Sequence, residues 1–180
     1  MHIVLIAKPD GPNTGLGRYT HELRQGLEQM GCAVTLVHPT VPIPDWLAQL
    51  IRRRLGWDLK GFFDNRPIWA RYPKADIYHI ASQNLASLML LRPPPGRTVL
   101  TVHDIFPQMH RDDPALSSHY HLADRIVDAI AMWGLRRVPT LLAVSSYTKQ
   151  CLVEFGIAPE RIHVTLEGVA LPPGVDKITR

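Results

Sequence analysis

The chain has 180 residues, 46% of them apolar and 20% charged, with 20 Lys and Arg against 16 Asp and Glu and a formal charge of +4. A chain of this length suits one domain that buries roughly 70% of its extended surface, and the composition excludes a disordered, collagenous or disulfide-built protein. Two cysteines, Cys32 and Cys151, are too few for a thiolate metal site and fit a reducing compartment, while no apolar run reaches the ~18–20 residues of a membrane span.

Met1 to Ala7 has no basic lead-in and meets Lys8-Pro9-Asp10 at once, so it reads as a first strand over 3–7 and not as a secretion signal. A glycine turn over 11–17 follows. Tyr19, Leu23, Leu27 and Met30 then recur at helical spacing, and Gly31 closes that helix. Further strands are predicted over 33–37, 77–81, 98–102, 140–144 and 162–166, the last with alternating character. Helices are predicted over 83–91, along Leu122, Ile126, Ile130 and Trp133, and from Ser146 to Phe155, closed by Gly156. Five-residue strands with no polar face are buried on both sides. Interleaved with helices, they predict an α/β fold: a Rossmann-like three-layer sandwich with a mostly parallel sheet of about six strands and right-handed crossovers. The domain is expected to span residues 1–170. Residues 171–180, with Pro172-Pro173-Gly174, read as a linker in which the chain ends.

In an open parallel sheet the ligand crevice lies beyond the carboxyl ends of the strands. The residues expected there are the turn Asn13 to Arg18, His38, His79, His103-Asp104, Ser145-Ser146 and Glu167-Gly168. Gly15 and Gly17 lack a Cβ, so a ligand can approach the backbone, and the helix start beside them suits a phosphate; the plain alternative is a tight strand-to-helix turn. The dinucleotide fingerprint is broken by Thr20 and His38, which disfavours a nicotinamide-dependent oxidoreductase, and a P-loop lysine-serine pair is missing. His103 can move a proton near neutral pH and Asp104 can accept from a sugar hydroxyl, though a satisfied structural histidine is the competing reading. The facing of His79 is open. Ser145 or Ser146 reads first as a helix N-cap and second as an anion contact. His103, Asp104, His110, Asp112, Asp113, His119 and His121 crowd together without a ligand spacing, so no metal is expected.

Residues 41–74 form an insert of different character. Within 46–74, seven basic residues stand against Asp58 and Asp64, and six of the chain's thirteen aromatics fall there. Leu47, Leu50, Ile51 and Leu55 share a helix face, with Arg54 projecting through it. Arg52, Arg53, Arg54 and Trp57 are candidates for contact with an anionic membrane surface or an acceptor; the alternative is a crossover helix with a solvated basic side. Nothing suggests nucleic acid.

Three stretches resemble a known family: Thr14-Gly15-Leu16-Gly17-Arg18-Tyr19, Thr101-Val102-His103-Asp104-Ile105-Phe106-Pro107, and the last third with Val144-Ser145-Ser146-Tyr147-Thr148-Lys149, Gly156-Ile157-Ala158-Pro159-Glu160-Arg161-Ile162 and Glu167-Gly168-Val169. In order, they resemble the N-terminal, acceptor-side domain of the GT-B retaining glycosyltransferases of family 4, over nearly the whole chain and least clearly over 41–74. Glu167 stands where that family usually has Asn. The resemblance implies transfer of a sugar from a nucleotide-sugar donor to a glycan or lipid-linked acceptor, often in polysaccharide or glycolipid assembly. It implies cytoplasmic work, possible at the inner membrane face, without a metal or other cofactor. His103 would position and polarise the transferring sugar, the turn with Gly15, Gly17 and Arg18 would border the donor phosphates, and His79, Asp104 and Ser145 would lie on the binding rim. A C-terminal domain, in cis or in trans, would complete the cleft. A non-catalytic membrane-docking or regulatory module with the same fold is the other expectation.

Overall fold

The computed structural model describes residues 1–168 except 10, 12, 41, 42, 57, 59, 62, 64–66, 106–108, 110–112 and 114–121, and of 122–128 the backbone alone. In chain order the elements are β1 (His2–Ile6), α1 (Gly15–Gln29), β2 (Ala33–Val37), α2 (Asp45–Leu55), β3 (Ile77–Ile80), a 3-10 turn (Gln83–Ser87) running into α3 (Leu88–Leu91), β4 (Thr98–Val102), α4 (Leu122–Arg137), β5 (Thr140–Ala143), α5 (Ser146–Glu154), a second 3-10 turn (Pro159–Arg161) and β6 (Ile162–Val164). The six strands form one sheet in the order β2-β1-β3-β4-β5-β6, and every pairing is parallel.

The chain leaves β1 in one direction, to β2, and builds the rest of the sheet in the other. Right-handed crossovers in opposite directions place their helices on opposite faces. Accordingly α1 lies over one face, where Tyr19 and Leu23 pack against Leu5, Ala7 and Ala81. The larger core fills the other face, where Val4, Ile6, Ile80, Leu100 and Leu141 meet Met132 and Leu135 of α4 and Leu152 of α5. Each such fully buried aliphatic contributes about 1.5–3 kcal/mol relative to exposure. The reversal of direction beside β1 opens a crevice at the carboxyl ends of β1 and β3.

Local chemistry sets the ends. Thr14, in extended conformation, accepts a hydrogen bond from Gly17 N at 3.0 Å, and Ser145 accepts one from Thr148 N at 3.0 Å. The helix stops expected at Gly31 and Gly156 are both left-handed, with φ of 78° and 87°.

Some expected faces differ. The strands at the sheet edges are not buried on both sides: β2 is only partly covered, and His163 and Val164 of β6 are exposed. In α4, Trp133 is 63% exposed, and among the described side chains the buried ones are Ala131, Met132 and Leu135; those of Leu122 and Ile126 lie outside the described residues. The cause is Gly134, whose missing Cβ would lie 1.9 Å from Ala86 O; backbone packs on backbone there and turns the helix. In α2 the only buried residue is Ala48, while Leu50 and Leu55, expected on the apolar face, are exposed. No helix among the described residues is long and apolar enough to cross a membrane. The 171–180 stretch lies outside the described residues.

Candidate functional site

The loops after β1, β3, β4, β5 and β6 meet at one edge of the sheet, and His103 is their common point. Its backbone N–H donates to Gln83 Oε1 at 3.1 Å, and its carbonyl accepts from Thr148 Oγ1 at 3.3 Å. The ring Nε2 lies 2.9 Å from Ala81 O. A carbonyl can only accept, so Nε2 carries a proton. Nδ1 lies 2.8 Å from Glu167 Oε1, an ion pair when the ring carries its second proton. The Tyr19 ring meets the imidazole edge-on, with centroids 4.7 Å apart and planes at 87°. Four other segments of the chain thus hold His103, three of them through its ring, and the side chain keeps 16% of its surface open to the rim.

Behind this ring lies a buried polar relay. Tyr19 Oη and His79 Nε2 each lie 2.8 Å from Thr101 Oγ1. Burial pushes the His79 ring down to about 4, and the neighbouring His103 adds to the effect, so His79 is neutral at pH 7. Burial raises the Tyr19 phenol above its ordinary value; the Thr101 hydrogen bond opposes that and the Glu167 carboxylate reinforces it. A neutral phenol and a neutral imidazole therefore back His103 at the rim.

Beside the site runs a groove of about 470 Å³ between α1 and the end of the sheet, walled by Tyr19, Leu23, Leu142 and Val144 and edged by Glu22 and Glu167. Among the described residues α1 packs on this face over Leu5, Ala7 and Ala81, and the groove lies beside it.

The expected site residues fall into three groups. His103, with Asp104 beside it on the exposed rim, and Ser145 come together at the sheet edge. Ser145 is the α5 N-cap, and its hydroxyl also lies 3.0 Å from Thr148 Oγ1, which anchors the His103 carbonyl. His79 lies beneath the rim, joined to it through Thr101. The glycine turn reaches His103 through Tyr19, but its two glycines differ. Gly17 is buried, and a Cβ there would stand 2.1 Å from Gly11 O, so its bareness serves the protein's own loop. Gly15 is exposed, with nothing within 4 Å of an added Cβ, and leaves the backbone open to a ligand. Arg18 pairs with Glu22 along the exposed side of α1 at 2.9 Å. Arg52, Arg53 and Arg54 lie on exposed α2, and Trp57 lies outside the described residues.

Tyr19, Gln83 and Thr101 hold the site without having been expected in that role. Glu167 was expected at this edge from its place after the sixth strand, though its pairing with His103 was not. Among the described residues no three His, Cys, Asp or Glu side chains are grouped to hold a metal ion; His110, Asp112, His119 and His121 lie outside them.

The all-parallel sheet with helices packed on both faces is a Rossmann-like α/β fold. The sequence model described as Glycosyltransferase Family 4 matches residues 13–172, and the chain belongs to that family. No curated protein matches it. Among solved structures it is similar to HepE of Anabaena in complex with UDP, at 14% identity and a TM-score of 0.46 over 94% of this chain. The chain spans 44% of the length of that protein.

Proposed function

We propose that this chain is the acceptor-side half of a retaining glycosyltransferase of hexosyltransferase type, which transfers a sugar from a nucleotide-sugar to a glycan or lipid-linked acceptor once a C-terminal domain closes the cleft. The observation that carries this reading is the doubly engaged imidazole of His103 at the rim. A ring that donates from Nε2 to a carbonyl is fixed in direction and presents its Nδ1 edge outward, where Glu167 now sits. When a ligand takes that place, the edge accepts from a sugar hydroxyl while the ring is neutral, and donates to the charge growing on the leaving phosphate when the ring carries its second proton. His103 is a positioning and electrostatic group in this scheme. Gly15 and the adjoining start of α1 face the donor phosphates, Asp104 accepts from a sugar hydroxyl, and the groove beside Glu167 receives the acceptor. The scheme assigns no step to a metal or other cofactor. One wall alone gives little turnover, because orientation comes from both.

The test is transfer by the chain joined to, or mixed with, its C-terminal domain. His103→Ala should lower kcat at least about a hundredfold with an unchanged melting temperature, the scale of loss of a preorganised donor. Glu167→Gln should retain most of the rate. Normal transfer by a folded His103→Ala variant would overturn the site.

A second reading concerns where this happens. Exposed α2 carries Trp46, Leu50 and Leu55 beside Arg52, Arg53 and Arg54, with Trp46 at 67% and Leu55 at 65% exposure. Apolar tips among basic side chains suit the anionic inner face of a membrane, where a lipid-linked acceptor would be found. A docking module without transfer activity would use the same helix.

A further inference from the structure

The helix α1 separates two depressions of opposite character. On one flank Tyr19, Glu22, Leu23 and Gly26 wall the apolar, acid-edged groove that reaches Glu167. On the other flank Thr20, His21 and Arg24, spaced so that they share a helix face, wall a notch of about 300 Å³ with Gly17 at the start of α1, Lys8 after β1 and His38 after β2. Three separate segments thus bring two permanent cations and two imidazoles to one concavity, and no described residue lining it is acidic. Its volume is at the lower end for small-ligand pockets. Two of these groups are already oriented. Arg24 Nε donates to Glu28 at 2.8 Å, a residue outside the lining, which holds the guanidinium in place. His38 Nδ1 lies 2.9 Å from Ala7 O and donates to it, which leaves Nε2 as the ring nitrogen available to a ligand.

We propose that this notch is a phosphate subsite and that it takes the phosphate of the acceptor. The inference rests on the reading of His103 as the transfer centre. The donor phosphate is bonded to the carbon that is attacked, so it must lie beside that centre. Of the notch residues only Gly17 belongs to the turn set against the donor phosphates; Thr20, His21 and Arg24 lie on the flank of α1 away from Tyr19 and His103, and a helix with its side chains is about 10–12 Å thick. A phosphate held there belongs to a molecule whose attacking hydroxyl is remote from it, such as a sugar phosphate or a lipid-diphosphate-linked sugar. Guanidinium and imidazolium groups recognise phosphate oxygens through charge-assisted hydrogen bonds.

The test uses calorimetry on the full chain at low ionic strength, where surface charge is least screened. The probes are inorganic pyrophosphate, glycerol 3-phosphate and UDP. Pyrophosphate and glycerol 3-phosphate should bind saturably. Arg24→Gln and His21→Ala should each weaken them about five- to tenfold, as loss of one charge-assisted contact would. Arg97→Gln removes an equal charge just before β4, at the other end of the strands, and should change nothing. UDP affinity should stay the same in all three variants. Absence of saturable pyrophosphate binding, or an equal loss in Arg97→Gln, would overturn the subsite. Loss of UDP binding in Arg24→Gln would overturn its assignment to the acceptor. His103→Ala should leave pyrophosphate binding intact, so this result and the transfer assay can fail separately.

Discussion

His79 and His103 are neighbours on one side of the sheet, yet their surroundings give them different work. His79 has almost no water to solvate a charge, so burial pushes it from 6.5 down to about 4. Unfolding releases it to its ordinary value. Between pH 6.5 and 4 the unfolded chain therefore binds the extra proton, and stability falls as pH falls through that window. One such group accounts for about 3 kcal/mol when the whole window is crossed. The urea midpoint should drop from pH 7 to 4.5 in the wild type and drop less steeply in His79→Gln; equal slopes would count against the buried neutral ring. At this scale the sequence showed part of the site. His103 and Ser145 were legible because each follows an apolar strand, where chemistry collects. Tyr19 read as a rung of an apolar helix face and Thr101 as part of a strand, and although both fall in stretches that resemble the family, neither was assigned a role at the site. Their hydroxyls meet across 82 positions of chain, a contact no local pattern encodes.

At the scale of elements, helix and strand positions followed from periodicity, while the rotation of helices did not. Period marks a stripe of apolar residues, and it does not say which edge of the stripe docks. Gly134 decides this for α4, because only a missing side chain lets its backbone meet Ala86. Gly17 does the same for the start of α1 against Gly11. Gly134→Ala and Gly17→Ala should each cost about 1–3 kcal/mol or more in chemical denaturation, as overpacking does. Gly15→Ala meets nothing within 4 Å and should change stability by less than about 1 kcal/mol, since it only exchanges turn flexibility for helix propensity. A tolerated Gly134→Ala would mean that α4 can ride away from the 3-10 turn at little cost.

For the whole molecule, the alternation of buried strands with helices predicted the parallel sheet, and the ordered motifs predicted its family. The strand order could not be read, because crossover direction leaves no mark in a local window. The insert at 41–74 is another whole-molecule feature. Its charge was legible as composition; its exposure on α2 is a matter of tertiary packing. Vesicles containing phosphatidylserine should float the chain, and reversal of Arg52, Arg53 and Arg54 to Glu should weaken that at least about a hundredfold, at about 1 kcal/mol for each basic charge near the surface. Flotation that survives the reversal would remove the docking role of α2. Glu167 sits at the exit of β6 and clasps an imidazole rooted in the loop after β4. Whatever displaces that exit strand carries the carboxylate along with it and unclasps the ring. The aim of a single side chain is thereby tied to the placement of residues 165–168, much as a latch follows the door to which it is fixed.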